Sequence, residues 1–141
     1  MVYQKAIPAK RAHLLIVEDD EMISSMLGEF FGEVYGVTRV ATAEWALAEL
    51  ARQRIDVLLL DYCLPGGCSQ AVADRAVASQ IPVVWMTGHP AAVAYLSHDP
   101  HLLLTKPFRL GEALGALTKA LASSGHAPPV QMRIIASPTP V

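Results

Sequence analysis

Asp56-Val57-Leu58-Leu59-Leu60-Asp61-Tyr62-Cys63-Leu64-Pro65, followed at once by Gly66-Gly67, is the stretch that decides the architecture. Four apolar residues in succession, without the alternation of a strand that has one wet side, suit a strand covered on both faces, as in a parallel sheet. The Pro-Gly-Gly turn closes the strand, so Asp61 stands at its C-terminal end. Ligands of open α/β sheets bind beyond that edge, which gives Asp61 a functional reading before anything else is known.

Outward from this strand the same grammar repeats. His13 to Val17 is a second short apolar run ending in acid, here Glu18-Asp19-Asp20. Apolar pairs at Met22-Ile23, Met26-Leu27 and Phe30-Phe31, then Val34, form a helical stripe that Asp20 can cap and Gly36 can end. Val37 to Ala41 reads as a strand, and Thr42 caps a helix over 43–52 with Trp45, Leu47 and Leu50 facing inward. Ser69 caps a short Ala-rich helix to about Ser79, and Ile81 to Met86 is a strand ending at Thr87-Gly88, with Trp85 packed beneath Thr87. Pro90 to Leu96 has room for two helical turns, His101 to Thr105 is a fifth strand ending at Lys106-Pro107, and Leu110, Ala113, Leu114, Leu117 and Leu121 form the stripe of a last helix. Five strands alternating with five helices specify an α/β fold, a three-layer doubly wound parallel sheet.

The domain spans 13–122 in this reading, after an N-terminal arm at 1–12 that lacks apolar periodicity. A Pro-, Ser- and Ala-rich tail follows at 123–141, expected to be largely disordered apart from a β-capable segment at 130–135. The 141 residues carry a formal charge of -2, with a pI near 6.2, which argues against binding nucleic acid through a general basic surface. Mean hydropathy is +0.34, yet no apolar run approaches the roughly eighteen residues of a membrane span. Two cysteines, Cys63 and Cys68, and a start without the segments of a secretory leader point to a reduced, cytoplasmic setting.

The strand ends carry the chemistry. In a parallel sheet Glu18-Asp19, Asp61, Thr87 and Lys106 share one edge although they are scattered in sequence. Clustered carboxylates raise one another's pKa unless a cation intervenes. Oxygen ligands from acids select a hard ion, and Mg²⁺ fits because it leaves coordination positions for phosphate oxygens. With Lys106 beside it, Asp61 is suited to act as a nucleophile toward a phosphoryl group.

These residues resemble a known family. Leu15-Ile16-Val17-Glu18-Asp19-Asp20, Asp61 with Leu64-Pro65, the run Val83 to Gly88 ending Met-Thr-Gly, and Thr105-Lys106-Pro107-Phe108 look like the receiver domain of two-component response regulators over residues 13–121. The resemblance implies a flavodoxin-like strand order 2-1-3-4-5, with Asp61 as phosphoacceptor. It implies Mg²⁺ held by Asp19 and Asp61, by Glu18 through water, and by the backbone carbonyl of Cys63. Thr87 and Lys106 become the groups that stabilise the phosphoryl and switch with it. A histidine kinase or histidine phosphotransfer protein becomes the donor, and an unknown downstream protein the recipient of the signal. The Lys106-Pro107 peptide is cis in such domains.

Departures from the family pattern set the alternatives. Leu103 stands where receivers often carry an aromatic switch residue, and the helices after the third and fourth strands look short. A degenerate receiver acting as a binding or dimerisation scaffold without phosphorylation is therefore the second reading, and outer positions Gly115 and Ala116 of the last helix leave a homodimer open. A phosphatase with an aspartate nucleophile is disfavoured, because Cys63 occupies the position of its usual general acid. Direct DNA binding would require a further module. Cys63 with Cys68, His98 with His101, and His89 near Thr87 are lesser candidates for redox, metal and hydrolysis-tuning roles.

Overall fold

A computed structural model describes residues 11–96 and 103–126. Within them the order is β1 (His13–Val17), α1 (Glu21–Phe31), β2 (Gly36–Val40), α2 (Ala43–Arg52), β3 (Val57–Asp61), α3 (Ser69–Ala78), β4 (Val83–Thr87), α4 (Pro90–Leu96), β5 (Leu103–Thr105) and α5 (Leu110–Ser123). The five strands are all parallel, in the order β2-β1-β3-β4-β5, the flavodoxin-like arrangement.

The unalternating run in β3 is explained by coverage on both sides. Val57 and Leu59 join Leu14, Ile16, Val84 and Met86 in a core under α1 and α5, where Leu27, Phe31, Leu114 and Leu117 close over them. Leu58 and Leu60 join Leu15, Val17 and Val83 in a second core with Ala46, Val72 and Ala76 of α2 and α3. Successive side chains thus leave the sheet on opposite faces, as pleating dictates, and both destinations are apolar. Leu58, Leu59 and Leu60 are fully buried, each contributing about 2 kcal/mol from removal of apolar surface.

Local signals set most boundaries. Asp20 Oδ1 accepts from Ile23 N–H at 3.1 Å and Thr42 Oγ1 from Trp45 N–H at 3.2 Å, so both expected caps form. Elsewhere the structure departs from expectation. Helix α1 ends at Phe31, with Gly32 as its C-cap. Val34 and Tyr35 are buried in the turn that follows, so the apolar pattern continues past the helix and Gly36 opens β2. Trp45 is 64 % exposed instead of inward. At about 100° per residue, Ala43, Ala46, Leu47 and Leu50 share a face and position 45 points away from it.

Ser69 is the first residue of α3 and not its cap; Cys68 occupies that position, and its thiol points back to Gly66 O at 3.5 Å without capping the helix. Trp85 is half-buried at the margin of the second core, with its ring against Tyr62. Ala116, read as an outer position, packs against the first core. At the two ends, Ala12 O accepts from Gly36 N–H at 3.0 Å, and α5 continues through Ser123 before Gly125 turns at φ +85°. His98, His101 and the segment 130–135 lie outside the described residues.

Candidate functional site

The C-terminal edge of the sheet gathers the expected side chains. Asp61 ends β3 and is 4 % exposed, Glu18 follows β1 at 2 %, and Thr87 ends β4 fully buried. Lys106 follows β5, and its backbone N–H donates to Thr87 O at 2.8 Å, which locks the two loops together. Gly88 lies beside this junction, where a Cβ would make an ordinary contact with Lys106 Cβ at 3.4 Å. The Lys106-Pro107 peptide is cis, as the resemblance implied.

Lys106 Nζ reaches Glu18 Oε2 at 2.8 Å and Asp61 Oδ2 at 3.1 Å. One ammonium thus bridges two buried carboxylates. Burial raises the Glu18 carboxyl above its ordinary range, and the hydrogen bond from Lys106 offsets only part of that rise. For Lys106, burial by itself would lower the ammonium, but its bonds to Glu18 and Asp61 outweigh burial and the net direction is up. The remaining acceptors are also bonded: Asp61 Oδ1 takes Cys63 N–H at 2.9 Å, and Glu18 Oε1 takes Asp20 N–H at 3.2 Å.

Carboxylate oxygens of Glu18, Asp19 and Asp61 lie within 4.8 Å of one another, and Asp19 is solvent-exposed. Three acids at one edge, one of them solvent-exposed, form an oxygen donor set, which fits a hard divalent cation such as Mg²⁺. Thr87 Oγ1 is not directed at Asp61. It accepts from His89 N–H at 3.1 Å and lies 3.8 Å from Cys63 Sγ. Cys63 and Cys68 are both free and exposed. Leu103 is half-buried on β5 and pairs in register with Trp85, two positions before the level of Thr87.

Residues 14–118 match the response regulator receiver domain family. The chain is a receiver domain. Its relatives agree: it is 34 % identical over 122 residues to an uncharacterised transcriptional regulatory protein, YkoG, of Bacillus subtilis, covering 82 % of this chain and 54 % of that one. It is 30 % identical to the sensory transduction protein RegX3 of Mycobacterium tuberculosis, covering 79 % of this chain and 52 % of the relative. The receiver therefore spans about half the length of these curated relatives. Among solved structures, a putative response regulator from Chloroflexus aurantiacus superposes with TM-score 0.69 at 30 % identity, covering 80 % of this chain and 99 % of that one. The chemotaxis protein CheY4 of Vibrio cholerae shares the fold, with TM-score 0.66 at 24 % identity over 79 % of this receiver and 99 % of its own chain. Receiver domains are signalling domains phosphorylated by histidine kinases, and they generally bind Mg²⁺ at an acidic pocket of this composition.

Three features of the receiver escaped the sequence reading. The buried hydroxyl of Ser69 donates to Asp61 O at 2.8 Å, fixing the backbone that carries the carboxylate. Tyr62, next to Asp61, lies edge-on to Trp85 at 5.4 Å and 6.3 Å from the Tyr95 ring of α4. At the opposite pole, Asp56 gathers His13 N–H at 2.7 Å, Arg54 at 3.2 Å and His126 at 3.2 Å. The polar and aromatic residues were visible in sequence; their partners, in other elements, were not.

Proposed function

We propose that this receiver accepts a phosphoryl group on Asp61 from the phosphohistidine of a histidine kinase or a histidine phosphotransfer protein. The observation that carries the reading is the bridge of Lys106 Nζ to both Glu18 Oε2 and Asp61 Oδ2, at the edge that also holds Asp19 and Thr87. In the transfer a carboxylate oxygen of Asp61 forms the new O–P bond, while the donor's P–N bond breaks with its electron pair returning to the imidazole nitrogen. Lys106 neutralises charge on the phosphoryl oxygens, and Thr87 leaves His89 N–H to donate its hydroxyl proton to one of them. Asp19, Asp61, the Cys63 carbonyl and, through water, Glu18 would hold Mg²⁺, which when bound supplies further positive charge for those oxygens.

The product is an acyl phosphate that water hydrolyses slowly, a minor autophosphatase activity. Signalling follows by contact with a downstream protein or by passing the phosphoryl group on. A protein partner is supported by a cleft of about 350 Å³ beside the site, lined by Ile23, Met26, Lys106, Pro107 and Phe108. Met22 is 82 % exposed and Met26 48 % exposed on the same helix, and methionine surfaces adapt readily to a partner. The net charge of -2 does not favour direct contact with DNA.

The test is incubation with acetyl phosphate and Mg²⁺, followed by intact mass. A labile phosphoryl adduct is expected, absent in Asp61→Asn. A folded protein that binds Mg²⁺ but forms no adduct would instead support the scaffold reading, which Leu103 favours.

A further inference from the structure

The two cysteines of the chain, Cys63 and Cys68, lie in the loop between β3 and α3, which is closed on itself at two levels. At its base, Ser69 Oγ donates to Asp61 O at 2.8 Å. At its tip, Gly67 N–H donates to Leu64 O at 3.1 Å, closing a four-residue turn in which Pro65 is second and Gly66, at φ +83°, is third. Cys63 on one limb and Cys68 on the other stand between these two rungs, each next to the turn. The first and fourth Cα atoms of such a turn lie within about 7 Å, and a disulfide bridges Cα separations of about 4.4 to 6.8 Å. The two rungs thus keep the limbs at about the separation that a disulfide bridges.

Both thiols are free and exposed, and they point apart. Cys68 Sγ lies back over the turn, 3.5 Å from Gly66 O, and Cys63 Sγ is 3.8 Å from Thr87 Oγ1. A thiol is only a weak donor and acceptor, so neither contact holds its side chain, and rotation about χ1 carries each sulfur to another staggered position. The tip has freedom to follow. A Cβ on Gly66 or Gly67 would meet nothing within 4 Å, and glycine tolerates the backbone changes that closure asks for.

Closure reaches the acidic site through the backbone. Cys63 N–H donates to Asp61 Oδ1 at 2.9 Å, and the carbonyl of the same residue is the proposed Mg²⁺ ligand. Drawing the Cys63 side chain across the loop turns the peptide groups that supply both. Asp61 then loses the donor that aligns its carboxylate.

We propose that Cys63 and Cys68 are a reversible thiol–disulfide pair which, when oxidised, slows phosphoryl transfer to Asp61. The slowing rests on the phosphoacceptor reading of Asp61, whereas the bond between the cysteines does not. The oxidant is a low-molecular-weight disulfide. One cysteine sulfur attacks it, forming a mixed disulfide and releasing one small thiol. The second cysteine sulfur attacks the protein sulfur of that mixed disulfide and releases the other small thiol. The two protein thiols are oxidised, the reagent is reduced, and the protons of the protein thiols leave on the two small thiols. Exposed disulfides are the labile, regulatory ones, and in a reducing compartment such bonds are transient.

The test treats the full chain with oxidised glutathione, removes the reagent, and follows adduct formation from acetyl phosphate and Mg²⁺ by intact mass. The expected product is a monomer lighter by two hydrogens, with Cys63 and Cys68 linked in a peptide map. Its adduct should form about tenfold more slowly, the lower end of what a displaced partner of a metal-binding carboxylate costs. Dithiothreitol should restore both mass and rate. Cys68→Ser is expected to accept the phosphoryl group at the reduced parent's rate. With oxidised glutathione it should stop at the mixed disulfide, since no second thiol resolves it. A parent that keeps both thiols, retains glutathione on them or links two chains overturns the pair. A linked monomer that forms the adduct at the reduced protein's rate overturns the control of Asp61. A reduced parent that forms no adduct overturns the phosphoacceptor reading and the slowing with it, while the mass of the oxidised protein still decides the disulfide.

Discussion

Two aspartates bracket β3, and each is held by a different kind of neighbour. At the site, Lys106 compensates Glu18 and Asp61 at once, so removing it leaves two buried carboxylates facing each other. Lys106→Met is expected to cost about 3 kcal/mol in urea unfolding with EDTA present, the low end for breaking a buried pair because the ammonium keeps some solvent contact. Ser69→Ala removes one buried hydroxyl from Asp61 O and is expected to cost about 1 kcal/mol. A loss of that size with slower adduct formation would show that the hydroxyl aligns the carboxylate as well as stabilising the fold.

Asp56, at the other end, makes a prediction about pH. Burial alone would raise its carboxyl, but the His13 N–H, Arg54 and His126 outweigh burial and hold it below the ordinary range. A depressed folded value contributes stability above the unfolded value, near 4, and loses it as pH falls through the folded value. Asp56→Ala is therefore expected to cost about 2 kcal/mol at pH 7. The gap to wild type should narrow in unfolding curves taken below about pH 4.

At the level of elements, the structure separates what a one-dimensional pattern can carry from what it cannot. The inner strands β1, β3 and β4 and helix α2 were legible because burial on both faces and the Thr42 cap are local facts, written within five to ten residues. The end of α1 was not, because Val34 and Tyr35 are apolar for the sake of a buried turn. Trp45 is exposed because helical phase, not residue type, decides which side of α2 is buried. Ser69 reads as a cap in one dimension because its actual partner, Asp61 O, belongs to the preceding strand. The site itself was readable since the sheet's parallel topology brings every strand end to one edge, but the orientation of Thr87 toward His89 required coordinates. The phase argument is testable on its own: Trp45→Ser should change the unfolding midpoint little, whereas Leu59→Ala should cost about 3 kcal/mol by leaving a cavity between β3 and the α1–α5 layer.

On the scale of the whole molecule, the two cores differ in how they are closed. Leucine and phenylalanine side chains of α1 and α5 cover one face, while alanines of α2 and α3 cover much of the other. Ligand linkage should act on the molecule as a unit. Mg²⁺ at ten times its dissociation constant is expected to add about 1.4 kcal/mol to stability. The midpoint should rise saturably with Mg²⁺ in a thermal melt, and Asp19→Asn, at an exposed position, should remove most of that rise while leaving the metal-free midpoint nearly unchanged.

The pole opposite the acidic site has a geometric consequence of its own. Arg11 and Ala12, leading into β1, and His126, just after α5, line one cleft of about 400 Å³ around Asp56. The polypeptide thus enters and leaves the fold on the same side, behind the sheet as seen from Asp61. Whatever is joined in front of residue 11 or beyond residue 126 starts from that rear side, like leads soldered to the back of a socket. The edge that carries Asp61 lies at the far end of β3 from this junction, so polypeptide joined at either point starts a strand's length away from the acidic cluster.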